Sequence, residues 1–416
     1  MGPLKVIQVA PRYFPAISGA EFYVQRVSEV LTKLGDCVRV KCSNARDFGG
    51  LKIPNRRSLP AGEELVGNVP VSRFRVAPPR AGGNEIVEFV KNAAKLPDEF
   101  TLAAKSLLSR GPHCPGLVES LRDAADAFHS TCLPYFSVVQ ALAGREEAVS
   151  ACTPFTHVAN PRYSNPDYYR VLGHYDLIFS CTPTETDFLC RAGVSRKKIR
   201  QITMGVDLNP FAVAQASWFD RVHPLGTRPV VLFCGYKNYE KGALTLLRAA
   251  PLVAGEFPDV AFVFIGPSTT AFNLETRKVK RAGFRNIVNI HPSNLNGYFD
   301  PIKLGAFKRC DVFAMPSRSD AYGIAFLEAW AAGKPVVGAR AGATPDVVDE
   351  SVDGVLVPFG DEEELALQLV KLIGNPTLRE EMGRLGLQKV VERGLTWENI
   401  TDTFRKRLEE ELACRR

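Results

Sequence analysis

The sequence predicts an α/β protein with two Rossmann-like domains, each built on a parallel β-sheet. The first observation behind this prediction is length, because 416 residues exceed what one hydrophobic core usually supports. The second is that short apolar strands alternate with amphipathic helical segments along the chain. The third is a stretch of weak periodicity, residues 209–228, which separates two such series and is predicted to be a linker.

The first series opens as strand, helix and strand. Lys5–Ala10 alternates like a buried strand, and Glu21–Leu34 carries apolar residues at helical spacing. Cys37–Cys42 predicts the next strand. Between the first strand and its helix lies the loop SGAE, residues 18–21, where Gly19 would let the backbone approach a ligand closely. An ordinary turn with a helix cap explains this loop equally well.

Basic and apolar residues alternate over Asn84–Arg110, which predicts one or two helices interrupted at Pro97. Such a helix could touch an anionic membrane or a lipid-linked molecule. A solvated helix face is the commoner explanation, since charge on amphipathic helices is usual.

The second series begins with an apolar strand over 229–235, a helix over Ala243–Ala254 and a strand over Val260–Gly266. The segment Thr396–Leu412 predicts a final amphipathic helix. The predicted division is an N-terminal domain over 1–208, a C-terminal domain over 209–395, and a terminal helix within 396–416 that packs back on the N-terminal domain.

Residues 311–348 are the most informative about chemistry. An apolar strand ending at Met315 runs into a polar loop with Asp320, and Gly323 then precedes an apolar helix whose one acid is Glu328. Ligands bind beyond the carboxyl ends of strands in open α/β sheets, and the N–H groups of a helix start attract phosphate. A carboxylate nearby can accept hydrogen bonds from a sugar diol. This unit therefore indicates a site for a sugar attached to a phosphate.

An alternative without function explains these acids equally well: Asp320 would cap the helix, and Glu328 would be a solvated acid of its first turn.

Three other candidate residues also have structural alternatives. Lys241, at a predicted helix start, can place its charge on a phosphate, although a lone lysine in a turn is usually a surface residue. His129 and His157 follow predicted strands, where ligand contacts concentrate, although core or surface histidines are more common.

The composition restricts the function classes. The 52 basic and 45 acidic residues leave a net charge of +7, which suits phosphates or an anionic membrane but lacks the dense basic patches of nucleic-acid binders. Ten cysteines without CxxC or zinc spacing indicate a reducing cytoplasm and no zinc site. Motifs of dinucleotide oxidoreductases, zinc and serine hydrolases and P-loop proteins are absent. With no signal peptide and no apolar run of about 18 residues, we expect a soluble or at most peripheral protein.

Four segments match motifs of one enzyme family. SGAE looks like its GGxE, MGVD at 204–207 like its NGVD, GYKNYEKG like its GR…KG, and PSRSDAYGIAFLEAWAAGKPVV like its ExFGxxxxEAxAxGxPVV. On these motifs the chain resembles, over nearly its whole length, the retaining nucleotide-sugar-dependent glycosyltransferases with the GT-B fold, family 4 or group 1. The resemblance implies two Rossmann-like domains whose parallel sheets face a central cleft, with the acceptor on the N-terminal side and the donor on the C-terminal side.

The resemblance also implies roles for individual residues. Catalytic roles fall on Asp320 and His157, and donor-binding roles on Glu328, Lys241, Gly19, Gly323 and Ile324. The first two would face the transferred sugar. Among the others, Glu328 would bind the ribose hydroxyls, Lys241 and Gly19 the diphosphate, and the two residues at the helix start would supply backbone N–H groups.

Several residues depart from the family pattern. Asp320 stands where the family has glutamate, which shortens the side chain by about 1.5 Å, one carbon–carbon bond. Tyr236 occupies the place of an arginine, so one of two cations expected on the diphosphate is missing. Ser18, Met204 and Asp346 replace a glycine, an asparagine and a glutamate. These changes could retune donor choice or mark a weakened enzyme.

The implied activity is transfer of a hexosyl group from a nucleotide diphosphate sugar to an acceptor hydroxyl, with retained anomeric configuration and without a metal or cofactor. The acceptor would be a glycan, a lipid-linked molecule or a small molecule, and nucleic acid is not an expected partner. Two alternatives stay open. One is a sugar-nucleotide epimerase of the same fold, whose acid/base carboxylates are not evident. The other is a degenerate GT-B protein that binds a sugar nucleotide or a partner without turnover.

Overall fold

The computed structural model describes residues 2–16, 18–78, 83–146 and 148–415. The chain forms two compact units. The first is drawn from Met1–Thr156, Pro161–Thr203 and Trp397–Arg416, and the second from His157–Asn160 and Met204–Thr396. Each unit is built on a largely parallel sheet with helices between the strands, so the predicted α/β class with two parallel-sheet parts is confirmed.

The first unit places eight strands in one sheet within the described ranges. These strands are β1 (Lys5–Ala10), β2 (Cys37–Ser43), β3 (Gly62–Val66), β4 (Val69–Phe74), β5 (Ala127–Thr131), β6 (Val149–Thr153), β7 (Leu177–Ser180) and β8 (Ile199–Gln201). Its helices before β8 are α1 (Gly19–Lys33), α2 (Gly83–Ala93), α3 (Asp98–Lys105), α4 (Pro115–Ser120), α5 (Ser137–Gln140), α6 (Pro166–Leu172) and α7 (Pro183–Arg191). The spatial order is β3-β4-β2-β1-β5-β6-β7-β8. Pairing is parallel except for the antiparallel hairpin of β3 and β4 at one edge.

The second unit contains a parallel sheet of six strands among its described residues. They are β9 (Val230–Cys234), β10 (Ala261–Ile265), β11 (Ile287–Ile290), β12 (Val312–Met315), β13 (Val336–Ala339) and β14 (Gly354–Val357). Its helices are α8 (Leu208–Val213), α9 (Ala216–Asp220), α10 (Ala243–Glu256), α11 (Thr270–Arg281), α12 (Pro301–Arg309), α13 (Ile324–Ala331), α14 (Glu362–Gly374) and α15 (Pro376–Glu392). The spatial order is β11-β10-β9-β12-β13-β14. From β9 the chain adds β10 and β11 on one side, and it then adds β12, β13 and β14 on the other side, so the strand order reverses between β9 and β12.

Residues 209–228, expected to be an irregular linker, instead include the two short helices α8 and α9. Each helix buries one aromatic ring completely, Phe211 and Phe219. Helix α9 packs closely on α12, because a Cβ at Gly305 would lie only 2.6 Å from the backbone nitrogen of Phe219. With one anchoring ring per helix, the segment shows too few apolar repeats for periodicity to reveal it.

The helices predicted over 84–110 are α2 and α3, and Pro97 forms the N-cap of α3. The apolar residues behind the amphipathic pattern lie in the core of the first unit: Val90, Phe100 and Leu107 are fully buried. These side chains are therefore not available to enter a membrane. No helix in the described ranges is both long and apolar enough to cross a bilayer.

Helix α16 (Trp397–Arg415) belongs to the first unit although it follows the second in sequence. Trp397 is fully buried, with ring centres 5.8 Å from Phe22 and 6.0 Å from Tyr23 of α1. Further along, the Phe404 ring lies 4.9 Å from His129 of β5. The helix thus completes the hydrophobic core beside α1 and β5.

Candidate functional site

The carboxyl ends of β9 and β12 define the candidate site. These strands are neighbours where the strand order reverses, and ligands bind beyond such a point in open α/β sheets. The loops that follow them touch through backbone. Gly242 has a φ of +73°, and a Cβ there would lie 2.1 Å from the carbonyl oxygen of Pro316. The absence of a side chain at Gly242 is what permits this approach.

Two ion pairs join the same loops. Lys241 Nζ lies 2.6 Å from Asp320 Oδ2, and the two side chains are 21% and 11% exposed, so a ligand can reach them. Beside them, the Arg318 guanidinium binds both carboxylate oxygens of Glu240, at 2.7 and 3.0 Å. The structure thus brings the predicted Lys241 and Asp320 together. Arg318 is a second cation that the sequence reasoning missed, although its place in the polar loop was visible.

The residue that precedes helix α13 has no side chain with which to cap it. Its N-cap is Gly323, at a φ of +95°, and a Cβ there would lie 2.7 Å from the Phe326 ring. Asp320 does not cap the helix, because its carboxylate binds Lys241. The alternative in which Asp320 only caps the helix is therefore wrong. The backbone N–H groups at Gly323 and Ile324 stand at a helix start, where they favour an anion.

Glu328 is not a solvated acid of the first turn, because it is the fifth residue of α13 and only 2% exposed. Its Oε1 lies 2.7 Å from Lys303 Nζ on α12, and both side chains are buried. The Lys303 ammonium also lies 3.5 Å from the centre of the Tyr298 ring. Burial raises the pKa of Tyr298, and the neighbouring charge of Glu328, to which its hydroxyl donates a hydrogen bond, raises it further.

Sequence reasoning missed both Lys303 and Tyr298. One signal existed for the lysine: Lys303 stands four residues before the buried Phe307, a spacing that puts both residues on the inward face of α12. A lysine on an inward helix face calls for a buried acidic partner. That the partner is Glu328, on another helix, was not visible before folding.

His157 lies in the second unit, unlike the residues on either side of segment 157–160. Its Nδ1 is 3.0 Å from the backbone oxygen of Ser319, and Ala159 N donates to Ser319 Oγ at 3.3 Å. Because a carbonyl oxygen only accepts, Nδ1 must carry a proton in this contact. The residue before His157 is held by the buried Glu185, whose Oε1 accepts from Thr156 N at 2.6 Å. The His157 ring thus contacts the backbone of the residue that precedes Asp320.

His129 is a core residue and does not contact a ligand. It is fully buried, with ring nitrogens 2.6 Å from Gln8 Oε1 and 2.7 Å from Thr153 Oγ1. Burial lowers the pKa of His129 to about 3, so the imidazole is neutral near pH 7. The remaining candidate, Gly19, is the first residue of α1 and is exposed in the first unit.

Tyr236, which stands at the sequence position of an arginine in the family motif, is 37% exposed. The next residue does not substitute for that cation. Lys237 is fully buried and donates to the backbone oxygen of Ile290 at 3.0 Å and to the side chain of Asn289. Burial lowers the pKa of Lys237 to about 8. Within the described ranges, no group of three or more His, Cys, Asp or Glu residues could hold a metal ion.

A family model described as glycosyl transferases group 1 matches residues 228–375, which include β9 to α14 and the candidate site apart from His157. The chain is 29% identical over 245 residues to a D-inositol 3-phosphate glycosyltransferase of Saccharomonospora viridis, covering 56% of each protein. It is also 29% identical over 204 residues to the sulfoquinovosyl transferase SQD2 of Arabidopsis thaliana, covering 48% of this chain and 38% of that protein. The chain thus spans about half the length, or less, of these curated relatives.

Solved structures resemble the chain over nearly its full length. Sucrose-phosphate synthase from Thermosynechococcus elongatus superposes with a TM-score of 0.72 at 19% identity, covering 99% of this chain and 100% of that one. Anabaena HepE in complex with UDP and glucose gives 0.70 at 16% identity, covering 98% and 99%. At this identity the likeness concerns the fold, and it confirms the predicted GT-B class. The predicted resemblance to the group 1 glycosyltransferases is likewise confirmed.

Proposed function

Because residues 228–375 match a family model described as glycosyl transferases group 1, we propose that the protein moves a hexosyl group from a nucleotide diphosphate sugar to an acceptor hydroxyl. The observation that carries the proposal is the Lys241–Asp320 pair beside the start of α13. A cation, a carboxylate and helix N–H groups stand together there, and these groups suit a diphosphate joined to a sugar.

The Lys241 ammonium is the group that would receive the diphosphate. Its ion pair with Asp320 is partly exposed, so an incoming phosphate can compete for the ammonium. As the bond from the anomeric carbon to the diphosphate breaks, negative charge grows on the leaving oxygen. Lys241 and the N–H groups at Gly323 and Ile324 would stabilise that charge in place.

The Asp320 carboxylate, once released by Lys241, would accept hydrogen bonds from hydroxyls of the transferred sugar. His157, held on the backbone of the adjacent Ser319, would face the same sugar. Both roles rest on the family resemblance together with these contacts. Retention of configuration rests on the resemblance alone. We propose that the departing phosphate itself takes the proton from the acceptor hydroxyl on the same face.

Binding of the nucleotide to the second unit is tested by calorimetry with a panel of nucleoside diphosphates and their sugars. We expect Lys241→Met to weaken diphosphate binding about ten- to hundred-fold, the effect of losing one hydrogen bond to a charged group. The matched control is Lys280→Met, an exposed lysine of α11 in the same unit. If the wild-type protein binds no member of the panel, the proposal is wrong.

Turnover is tested with the tightest donor and pools of glycan, lipid-linked and small-molecule acceptors. Proton NMR of the product's anomeric centre then shows whether configuration is retained. We expect EDTA to leave the rate unchanged, because the proposed charge stabilisation comes from side-chain and backbone donors. The shortened Asp320 and the replacement at Tyr236 favour a second candidate, a protein that binds the donor without turnover. Binding with no transfer to any acceptor would support that candidate.

A further inference from the structure

The Lys303 ammonium is one of the most enclosed charges of the second unit in the described ranges. Its side chain is 6% exposed, and it touches the Glu328 carboxylate at 2.7 Å and the Tyr298 ring at 3.5 Å. The start of α12 is fixed by Asp300, whose Oδ1 accepts from Ile302 N at 2.8 Å. Lys303 is therefore held in one position before any ligand arrives.

Stability alone does not account for this arrangement. Replacing a buried ion pair with apolar residues of similar size is often neutral or stabilising, because the charges lose their hydration. A buried ion pair is better explained as a means of holding one of its two side chains in a fixed orientation. Here the oriented group is Glu328, which stands on α13, the helix whose first residues border the candidate diphosphate site.

The Glu328 carboxylate has acceptor capacity left for a ligand. An ionised carboxylate offers about four lone-pair positions on its two oxygens. Lys303 occupies one on Oε1, and the Tyr298 hydroxyl donates to the same carboxylate. Two donors, one on α12 and one in the turn just before it, fix the plane of the group, and the remaining positions can accept from a pair of neighbouring hydroxyls.

We propose that Lys303 and Tyr298 are positioning residues that hold the Glu328 carboxylate in the one orientation that distinguishes a ribose diol from a deoxyribose. This inference rests on the proposed function, since it assumes that a nucleoside diphosphate occupies the second unit. Neither residue contacts the nucleotide in this proposal. Both act by fixing the acid that does.

The test is the ratio of dissociation constants for 2′-deoxy and ribo forms, measured by calorimetry. UDP, GDP and ADP are compared with their 2′-deoxy counterparts, and the tightest pair is used. We expect wild-type protein to prefer the ribo form about ten-fold or more, which corresponds to one hydrogen bond of about 1.4 kcal/mol. In Lys303→Met the ratio should fall to about one, with affinity for the deoxy form changed less than two-fold. Tyr298→Phe should lower the ratio in part.

Lys308→Met is the matched control, because it removes an ammonium from the same helix outside this cluster, and it should keep the wild-type ratio. An unchanged ratio in Lys303→Met, or an equal loss of affinity for both forms, would overturn the proposal, since either indicates a merely structural lysine. If Lys303→Met does not fold, Tyr298→Phe decides, because it keeps the ring beneath the ammonium and removes only the hydroxyl.

Failure of the proposed function looks different in this experiment. Wild-type protein that binds none of the six nucleotides contradicts the nucleotide site itself, and the inference falls with it. Wild-type protein that binds both forms equally leaves the diphosphate site standing and overturns only the role given to Glu328 and its two positioning residues.

Discussion

At the scale of single residues, burial decides what a titratable group can do. His129 is enclosed by the core of the first unit, and the Phe404 and Phe179 rings lie 4.9 and 5.9 Å from its own. Its two ring nitrogens are occupied by Gln8 and Thr153. The imidazole consequently serves stability as a neutral group, and protonation must oppose folding.

The stability of the protein should therefore fall in mild acid. The pKa of His129 is about 3 in the folded state against about 6.5 unfolded, so the unfolded chain binds more protons between these values. Stability from this residue is present above pH 6.5 and is lost as pH falls toward 3. Between pH 7 and 5 we expect a loss of about 2 kcal/mol in the free energy of unfolding from urea titrations. In His129→Gln this pH dependence should shrink by that amount, and an identical slope would contradict the assignment.

The Glu328–Lys303 pair predicts a second effect on stability. Glu328→Ala leaves the Lys303 ammonium buried without its partner, which should lower the free energy of unfolding by about 3 to 5 kcal/mol. The double change Lys303→Met and Glu328→Leu should recover most of this loss. The exposed pair of Arg340 and Glu350 is the control, and Glu350→Ala should cost less than about 1 kcal/mol. Equal losses at the two sites would show that burial of the first pair is unimportant.

At the scale of elements, the site depends on the contact between two loops. Gly242 lies at the N-cap of α10, and its missing side chain lets the loop after β9 meet the loop after β12. Lys241 is carried on the same turn. The geometry of the ion pair with Asp320 therefore depends on a glycine that itself binds nothing.

A comparison of two alanine variants isolates this steric role. Gly242 and Gly333 have nearly the same φ, +73° and +74°, so alanine at either position costs about 1 to 2 kcal/mol in the left-handed region. At Gly333 nothing lies within 4 Å of the added Cβ, whereas at Gly242 the Pro316 oxygen is 2.1 Å away. Gly242→Ala should unfold at clearly lower temperature than Gly333→Ala and should lose nucleotide binding. Similar melting temperatures and similar binding would contradict the steric argument.

Local patterns predicted the elements that hold regular repeats. The first strand was expected over Lys5–Ala10 and is found there, and the helix expected over Glu21–Leu34 runs over Gly19–Lys33. The hairpin of β3 and β4 was not foreseen as a pair, because β3 is exposed along most of its length and has no apolar alternation. In the site, local motifs led to Lys241, Asp320 and Glu328. Lys303 was missed because its partner is 25 residues away and adjacent only in the folded protein.

At the scale of the whole molecule, the first unit is built from segments that lie far apart in the sequence. The first unit is interrupted by residues 204–396, which build the second, and is completed by α16. Arg405 of this helix binds Asp36 at 2.8 and 3.1 Å, and Arg415 binds Asp176 at 2.6 Å. Polar and apolar contacts thus tie the end of the chain to its first half.

Damage to α16 should therefore appear far away in sequence. Phe404→Ala removes a fully buried ring and should cost about 3 to 5 kcal/mol. Hydrogen exchange followed by mass spectrometry should speed up in α1, β5 and β7 and stay unchanged in β9 and β10. Phe307→Ala, at a buried ring of α12, should give the opposite pattern. Faster exchange in both units from either change would contradict their separate cores.

The late arrival of α16 has a consequence for biosynthesis. A ribosome that has finished Thr203 must add all of Met204–Thr396 before it reaches this helix, which takes roughly 10 to 40 s at 5 to 20 residues per second. During that interval the rings of Phe22, Tyr23 and Phe179 lack their cover, so the nascent chain presents an apolar surface that chaperones bind. Translation that stops before Trp397 leaves the second unit whole and the first unfinished.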